Sequence, residues 1–436
     1  MAVTKHLPVM LENCAFPRVR AAGGGASKGQ GREISQTPGF GHLNPNSGSR
    51  ILFGMSGSPQ HTLGIDQAAA SLRAGGVVVL PSETIYGIYA RAGGKGEGLR
   101  SLLDMESRRG AKSRDYPWTW HAPSRERLEE ALPLRSPLHK RVVRVLMPGP
   151  VRLQIEHTDH DIDQALRVLD VAPGIIDGVF PGVPGRALAV RVPEHEISSQ
   201  VLERVAGVVV AESAAALGLG DGASLPPDVS ERANSIGIGA VVDDGPTRYG
   251  MFSTPIRLLA GGGYRIMASG AIDEREVRRR IERRILFVCS GNTCRSPVAE
   301  AIARSLLAER SLPQGQAPVP TTALSAGTAA ASGLAMTSES ARALEEMGIE
   351  PGRHSSRPLT RDMLLGADYV FAMTRQHQKT IEMMSGSLAK VALLDPGGAE
   401  IEDPIGGPLK QYREMAKAVR RAIERRLAEI EEGDMQ

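Results

Sequence analysis

The 436-residue sequence holds only three cysteines, Cys14, Cys289 and Cys294. That number and spacing exclude a disulfide-stapled secreted scaffold and predict a reducing, cytoplasmic setting. No apolar run reaches membrane-spanning length, and no compact apolar region follows a basic start at the N-terminus. Neither a membrane span nor a secretory signal is therefore expected. The net charge is only +3, too small to argue for a nucleic-acid partner, so any basic site must be local. No internal repeat is visible.

What remains is ordinary for soluble globular protein: 41% hydrophobic and 23% charged residues. The length exceeds what one hydrophobic core usually supports, so two domains are expected. Residues 1–60 read as a disordered tail, because "AAGGGASKGQGREISQTPGFGHLNPNSGSR" offers almost nothing to bury. Met55 is an alternative start within it. Residues 61–272 read as an α/β domain of short apolar strands bounded by Gly and Pro, with helices such as "SRERLEEAL" between them. Residues 273–284, "DEREVRRRIERR", read as a charged linker helix, a solvated connector or, more sharply, a basic arm for RNA or phosphate. Residues 285–436 alternate strand and helix and end in a long helix. Leu409, Tyr412, Ala416, Val419, Ile423, Leu427 and Ile430 share one face of that helix. Such alternation predicts a doubly wound parallel sheet.

In a sheet of that kind, ligands bind beyond the carboxyl ends of the strands. "ILFVCSGNTCRSP" places Cys289–Arg295 there, between the first strand and the first helix. Ser296 at the cap and Pro297 in the first turn predict the helix start. Loop N–H groups and the helix dipole then face one volume, which makes an anion site. Gly291 lets the backbone curl and Asn292 tolerates a left-handed conformation. A thiol in such a field is favoured as thiolate, so Cys289 is a candidate nucleophile. Arg295, with its planar fork, is a candidate clamp for two phosphoryl oxygens. Asp403 in "IEDPIGGP" is a candidate general acid and then general base.

"VCSGNTCRSP", "SAGT", "ADYVFAMTRQH" and "DPIGGP" together resemble the low-molecular-weight protein tyrosine phosphatase family, across residues 285–436 and in its order. The resemblance implies a cysteinyl-phosphate mechanism without metal or cofactor, and a phosphorylated protein as substrate. It assigns the phosphate loop to Cys289, Ser290, Gly291, Asn292, Thr293, Cys294, Arg295 and Ser296, with Ser296 bonded to the thiolate and Asn292 with Ser325 bracing the loop. "GNTCRSP", "HSSRPLT" and "FAMTRQH" look closest to the protein arginine phosphatase branch, where a threonine at the position of Thr293 goes with phosphoarginine. Phosphotyrosine and phosphoarginine both stay open, because Pro404 and Ile405 stand where tyrosine-specific members place aromatic residues. An arsenate reductase of the same fold would need further cysteines after Cys294, and none follow. Cys294 is either a packing residue or a disulfide partner protecting Cys289.

"SLRAGGVVVLPSETIYGIYA", "MPGP", "ALAVRVPEH", "VVDDGP", "FSTPIRLLAGGG" and "RIMASGAI" resemble the threonylcarbamoyl-adenylate synthase (YrdC-like) family over about residues 62–272. That family joins threonine, bicarbonate and ATP, with Mg, for tRNA modification. The resemblance implies a twisted α/β sheet and a tRNA or double-stranded RNA partner. It names Ser82, Thr84, Tyr86, Lys112, Arg114, Arg191, Ser213 and Ser253 as nucleotide- or threonine-binding candidates. The family's Ser-x-Asn motif is here Ser213-Ala214-Ala215, without the Asn. Either a second synthase activity or a non-catalytic binding or regulatory module is therefore expected.

Overall fold

The computed structural model describes residues 61–435, apart from residues 63, 93–96, 109–117, 172–186, 206, 220–221, 226–227, 239, 311–315 and 387–390. The tail expected over residues 1–60 lies outside them, as do Lys112 and Arg114.

Two sheets organise the chain. The N-terminal lobe holds a mixed sheet of β1 (His61–Thr62), β2 (Val77–Leu80), β3 (Gly87–Arg91), β4 (Thr119–His121), β5 (Val151–Glu156), β6 (Ala187–Arg191), β7 (Val209–Ser213), β8 (Ala240–Val241), β9 (Thr254–Leu258) and β10 (Tyr264–Ile266). Their order is β1-β8-β2-β3-β7-β4-β6-β5-β9-β10. β2 through β7 are buried along nearly their whole length, because helices cover both faces. The helices Ile65–Arg73 and Glu196–Arg204 set Ala68, Leu72, Val201 and Leu202 against Val78, Leu80 and Tyr89. The other face carries the larger core, around Trp118, Ile88, Val142 and Leu153.

The C-terminal sheet is β11 (Arg283–Cys289), β12 (Thr321–Gly327), β13 (Tyr369–Ala372) and β14 (Val391–Leu393). All four are parallel, in the order β12-β11-β13-β14. Alternation along β11 sends Ile285, Phe287 and Cys289 to one core and Leu286 and Val288 to the other. The first core is closed by the helices Arg295–Ala308 and Leu409–Met435. On the latter Tyr412, Ala416, Val419, Ile423, Leu427 and Ile430 are buried, as its sequence periodicity requires, and Leu409 is half-buried. The chain leaves β11 for β12 on one side and returns to β13 on the other. The switch point therefore lies at the carboxyl end of β11, where Cys289 stands.

Two expectations need correction. The segment 273–284 is not a solvated linker helix throughout. Its helix spans Glu274–Ile281, with Val277 and Ile281 buried in the N-terminal core. Arg283 and Arg284 already belong to β11, two residues before the expected strand start, because they pair with Thr321 and Thr322. The arginines Arg278, Arg279 and Arg280 are paired with Glu274 and Glu276 on the same helix. They do not form a bare basic arm.

The lobes are fastened to each other. Arg141 is buried on the helix Pro137–Leu146. It donates from Nη1 to Asp368 Oδ1 at 2.7 Å, from Nε to the Ile281 carbonyl at 3.2 Å and from Nη2 to the Glu282 carbonyl at 3.1 Å. Asp368 also accepts the Arg284 N–H at 2.9 Å. Nearby, Gly262 has φ +85° and lies so close to Ala317 that a Cβ there would be 2.6 Å from its nitrogen. Only glycine suits that turn.

Candidate active site

The loop from Cys289 to Arg295 joins β11 to the helix Arg295–Ala308. The helix begins two residues earlier than expected. Cys294, not Ser296, is at the N-cap, and it makes no side-chain capping bond. The Ser296 hydroxyl is turned inward instead, 3.0 Å from Cys289 Sγ. The same sulfur accepts the Asn292 N–H at 3.3 Å. The Ser296 hydroxyl also reaches the Ala326 carbonyl at 3.3 Å, so one backbone donor and one hydroxyl converge on a cysteine only 2% exposed.

Asn292 makes this possible. It holds a left-handed φ of +53°, which Asn tolerates far better than a branched residue. Its Nδ2 donates to Ser296 Oγ and Ser325 Oγ, both at 2.9 Å, and its Oδ1 accepts the Arg357 N–H at 2.9 Å. Ser325 Oγ donates in turn to Glu300 Oε2 at 2.5 Å. The amide is fully buried and uses both ends.

The loop carbonyls are engaged by flanking segments. Cys289 O accepts from Thr328 N, Ser290 O from Ala329 N, Thr293 O from Thr337 N, and Asn292 O from His354 Nε2 at 2.7 Å. In a trans peptide the N–H points opposite to the C=O. The N–H groups of Ser290, Gly291, Thr293 and Cys294 are therefore directed away from those segments, as an anion cradle requires. Gly327 permits the close approach, since a Cβ there would come within 2.3 Å of Ser290 O.

Arg295 lies buried over this loop. Its Nη2 is 2.5 Å from Asp403 Oδ2 and 3.4 Å from Ser290 Oγ, and its Nη1 is 3.4 Å from the Ile401 carbonyl. Arg295 Nε is buried without a hydrogen-bond partner among the described residues. A buried guanidinium with a spare donor suits an incoming oxyanion. The Asp403 side chain is 40% exposed, at the rim of the site. Cys289 and Arg295 are thus brought together with Asp403, 108 positions after Arg295, with Ser290, Asn292, Ser296 and Ser325 around them. Thr293 and Gly291 sit half-buried at the mouth.

Cys294 is a free buried thiol. It lies 3.6 Å from Thr337 Oγ1 and 3.7 Å from Thr293 Oγ1, and it meets the Tyr412 hydroxyl. Burial, then the neighbouring Cys294, pushes the Tyr412 phenol up.

The N-terminal candidates are mostly occupied by their own neighbours. Ser82 Oγ is 3.1 Å from Thr84 Oγ1 and donates to the Ile85 carbonyl at 2.5 Å. Tyr86 OH is 2.8 Å from Asp243 Oδ1, and burial pushes its pKa up. Arg191, at the end of β6, is buried 2.7 Å from the equally buried Glu83. Beside it His121 is pushed down to about 3, by burial first and by Arg191 next. Ser213 Oγ accepts the Ala215 N–H at 3.1 Å. Ser253 is half-buried at the entry to β9.

A cleft of about 320 Å³ opens beside Ser82 and Glu83, lined also by Glu194, His195, Glu196, Asp244 and Arg248. Burial lowers the pKa of His195, the largest of several influences, so it adds little positive charge at neutral pH. Among the described lining residues the carboxylates outnumber the cations. That lining repels a triphosphate rather than attracting it, so the observed residues do not fit ATP well.

Sequence reasoning gave no role to His354, Arg357, Glu300 or His377, all of which touch the loop or its supports. His354 and Arg357 stand in "HSSRPLT" and His377 in "TRQH". A histidine three residues after a helix-capping threonine was the available signal for the last.

A family model described as low molecular weight phosphotyrosine protein phosphatase matches residues 284–435. Another, described as telomere recombination and labelled Sua5, YciO and YrdC, matches residues 70–270. The low molecular weight protein-tyrosine-phosphatase PtpB of Staphylococcus epidermidis is 36% identical over 135 residues, 30% of this chain and 87% of that protein. A protein-arginine-phosphatase of Geobacillus stearothermophilus is 36% identical over 147 residues, 33% of this chain and 92% of that protein. The solved structure of YwlE arginine phosphatase from the same organism shares 31% identity, covers 35% of this chain and 96% of its own, and superimposes with a TM-score of 0.31. Among the described residues no helix is long and apolar enough to cross a membrane.

Proposed function

The chain belongs to the low molecular weight phosphotyrosine protein phosphatase family, and from that premise we propose that it dephosphorylates protein side chains through a cysteinyl-phosphate intermediate. The observation that carries this reading is the convergence of the Asn292 N–H and the Ser296 hydroxyl on Cys289 Sγ, at 3.3 and 3.0 Å, beside a buried Arg295. Cys289 attacks phosphorus in line. The loop N–H groups and the Arg295 fork hold the equatorial oxygens where charge spreads in the transition state. The P–O or P–N bond to the side chain breaks as Asp403 donates a proton to the leaving group. Asp403 then takes a proton from water, which attacks the thiophosphate and frees Cys289. Positive charge comes from Arg295 and the loop, so the steps use no metal.

The test is Cys289→Ser in the full chain. Turnover of an aryl phosphate should vanish, and wild-type enzyme quenched in acid should carry phosphate on sulfur. Retained turnover in the variant would overturn the mechanism.

Between the two side chains, phosphoarginine is the reading favoured by Ile405, 65% exposed where an aromatic wall would hold a phosphotyrosine ring. Thr293 at the mouth supports the same choice. The ratio of kcat/KM on matched phosphoarginine and phosphotyrosine peptides decides it. A ratio at or below one removes arginine specificity.

For the N-terminal lobe the better-supported reading is a cytoplasmic binding or regulatory module rather than a second enzyme. Arg191 is neutralised by Glu83, the cleft is lined with carboxylates, and Ala215 stands where the synthases carry Asn. Pyrophosphate release that requires ATP, threonine and bicarbonate together would restore the synthase reading. A tRNA or double-stranded RNA remains the ligand class to be tried on this lobe, by gel shift with the full chain.

A further inference from the structure

His377 stands behind the loop, on the helix Arg375–Ser385. Its Nε2 is 2.8 Å from Ser290 Oγ, and its Nδ1 is 2.9 Å from Thr374 Oγ1. Thr374 is the N-cap of that helix, and its Oγ accepts the His377 N–H at 3.4 Å. A hydroxyl that accepts at a cap still has a proton to place. Nδ1 is the acceptor within reach, so Thr374 donates to it. The ring proton of neutral His377 must then sit on Nε2, and His377 donates to Ser290.

Ser290 Oγ lies 3.4 Å from Arg295 Nη2 as well. A serine oxygen has two lone pairs and one proton. With His377 and Arg295 both donating to it, its lone pairs are taken and its proton is left for a third group. The acceptors that belong in this loop are the oxygens of a bound phosphoryl group. We propose that His377 is a positioning residue that makes Ser290 a hydrogen-bond donor to the bound phosphoryl group.

The surroundings support a neutral ring. His377 is buried, and it faces Arg295, Asp403 and Glu400. Burial first and Arg295 next push its pKa down to about 4. A protonated ring would reverse the Thr374 contact, with Nδ1 donating, while Nε2 would still donate to Ser290.

This inference rests on the proposed phosphate site, not on turnover, so it is tested by binding. Inorganic phosphate is the probe, measured by equilibrium dialysis with the full chain at fixed salt, alongside aryl phosphate hydrolysis. Ser290→Ala should weaken phosphate roughly tenfold, the usual scale for one charge-assisted bond. His377→Ala should weaken it by several-fold, and the double variant should be no worse than Ser290→Ala alone. His377→Gln, whose amide can donate from near the Nε2 position, should recover most of the loss, which a purely structural role would not predict. The Gln variant also keeps the test alive if the Ala variant folds poorly. Full additivity of the two Ala changes would overturn the relay, as would unchanged affinity in His377→Ala. Phosphate binding without hydrolysis by the wild-type protein would sink the phosphatase reading and leave this one to be judged on the same constants. No phosphate binding by the wild-type protein would overturn both.

Discussion

Asp403 Oδ2 and Arg295 Nη2 are 2.5 Å apart, an ion pair between the candidate acid and the candidate phosphate clamp. The second carboxylate oxygen accepts the Ile405 N–H at 3.3 Å. A phosphoryl group arriving at Arg295 competes for the same guanidinium and frees Asp403 to meet the leaving atom. Asp403→Asn keeps the shape and removes the transferable proton. Its kcat should fall about 10²–10³-fold on substrates with poor leaving groups, the usual share of general acid catalysis. With para-nitrophenyl phosphate, whose leaving group scarcely needs a proton, the loss should be far smaller. Equal losses on both would remove Asp403 from proton transfer.

Asn292 is the structural counterpart. Its amide serves Ser296, Ser325 and the Arg357 N–H while its backbone sits at positive φ. Asn292→Ala strands several buried polar groups and places an alanine where φ > 0 is unfavourable, so it should cost about 2–4 kcal/mol of stability. Asn292→Gly relieves the backbone alone and should recover roughly 1 kcal/mol of that. Thermal unfolding of the three proteins measures the difference. If Gly is no better than Ala, the left-handed backbone contributes nothing and the amide carries the whole effect.

Much of this was legible in the sequence. Strand, loop and helix start are local signals, so Cys289 and Arg295 could be placed at a strand end from "ILFVCSGNTCRSP" alone. Asp403 was found through its Pro-Gly-rich loop and the family resemblance. What could not be read were decisions made by tertiary contact. Ser296 looks like an ideal cap, but the helix already starts at Arg295 and the hydroxyl is turned inward to Cys289 Sγ and the Ala326 carbonyl. Arg283 and Arg284 look like the end of a charged helix, but pairing with β12 draws them into a strand. Arg191 looks like a ligand-binding cation, but Glu83, 108 positions away and nearly fully buried, neutralises it. The relay through His377 depends on which atoms face one another, which no sequence spacing specifies.

The junction between the lobes turns on Arg141. It is buried, and its guanidinium holds Asp368 of one lobe and the carbonyls that lead out of the other. Arg141→Ala leaves Asp368 and two carbonyls short of a donor. Asp368 is about a quarter exposed, so water recovers part of the loss, and a cost of roughly 2–3 kcal/mol is expected. The loss should appear as separation of the lobes and not only as a lower midpoint. Calorimetry of the variant should resolve two transitions where the wild-type protein shows closer coupling. A single transition shifted as a whole would mean that packing elsewhere couples the lobes.

Stability should fall as pH drops from about 6.5 toward 4. Burial holds His157 and His377 at about 4 and His121 at about 3, against an ordinary value of 6.5. Neighbouring arginines add to the effect at each ring. In the unfolded chain these rings take up protons near pH 6.5, whereas in the folded protein they stay neutral. Between those values the unfolded state binds more protons, so acid favours it. The contribution is fully present above pH 6.5 and is lost progressively toward the folded values. Carboxylates held low by arginines, such as Glu276 at about 2, act in the same direction but only below their unfolded value near 4.5. The upper part of the window therefore belongs to the histidines. Thermal midpoints at pH 7, 6 and 5 should decline steadily, and His121→Phe, which removes one titrating ring from the core, should flatten the slope. Midpoints that stay level from pH 7 to 5 would show that these rings are protonated alike in both states.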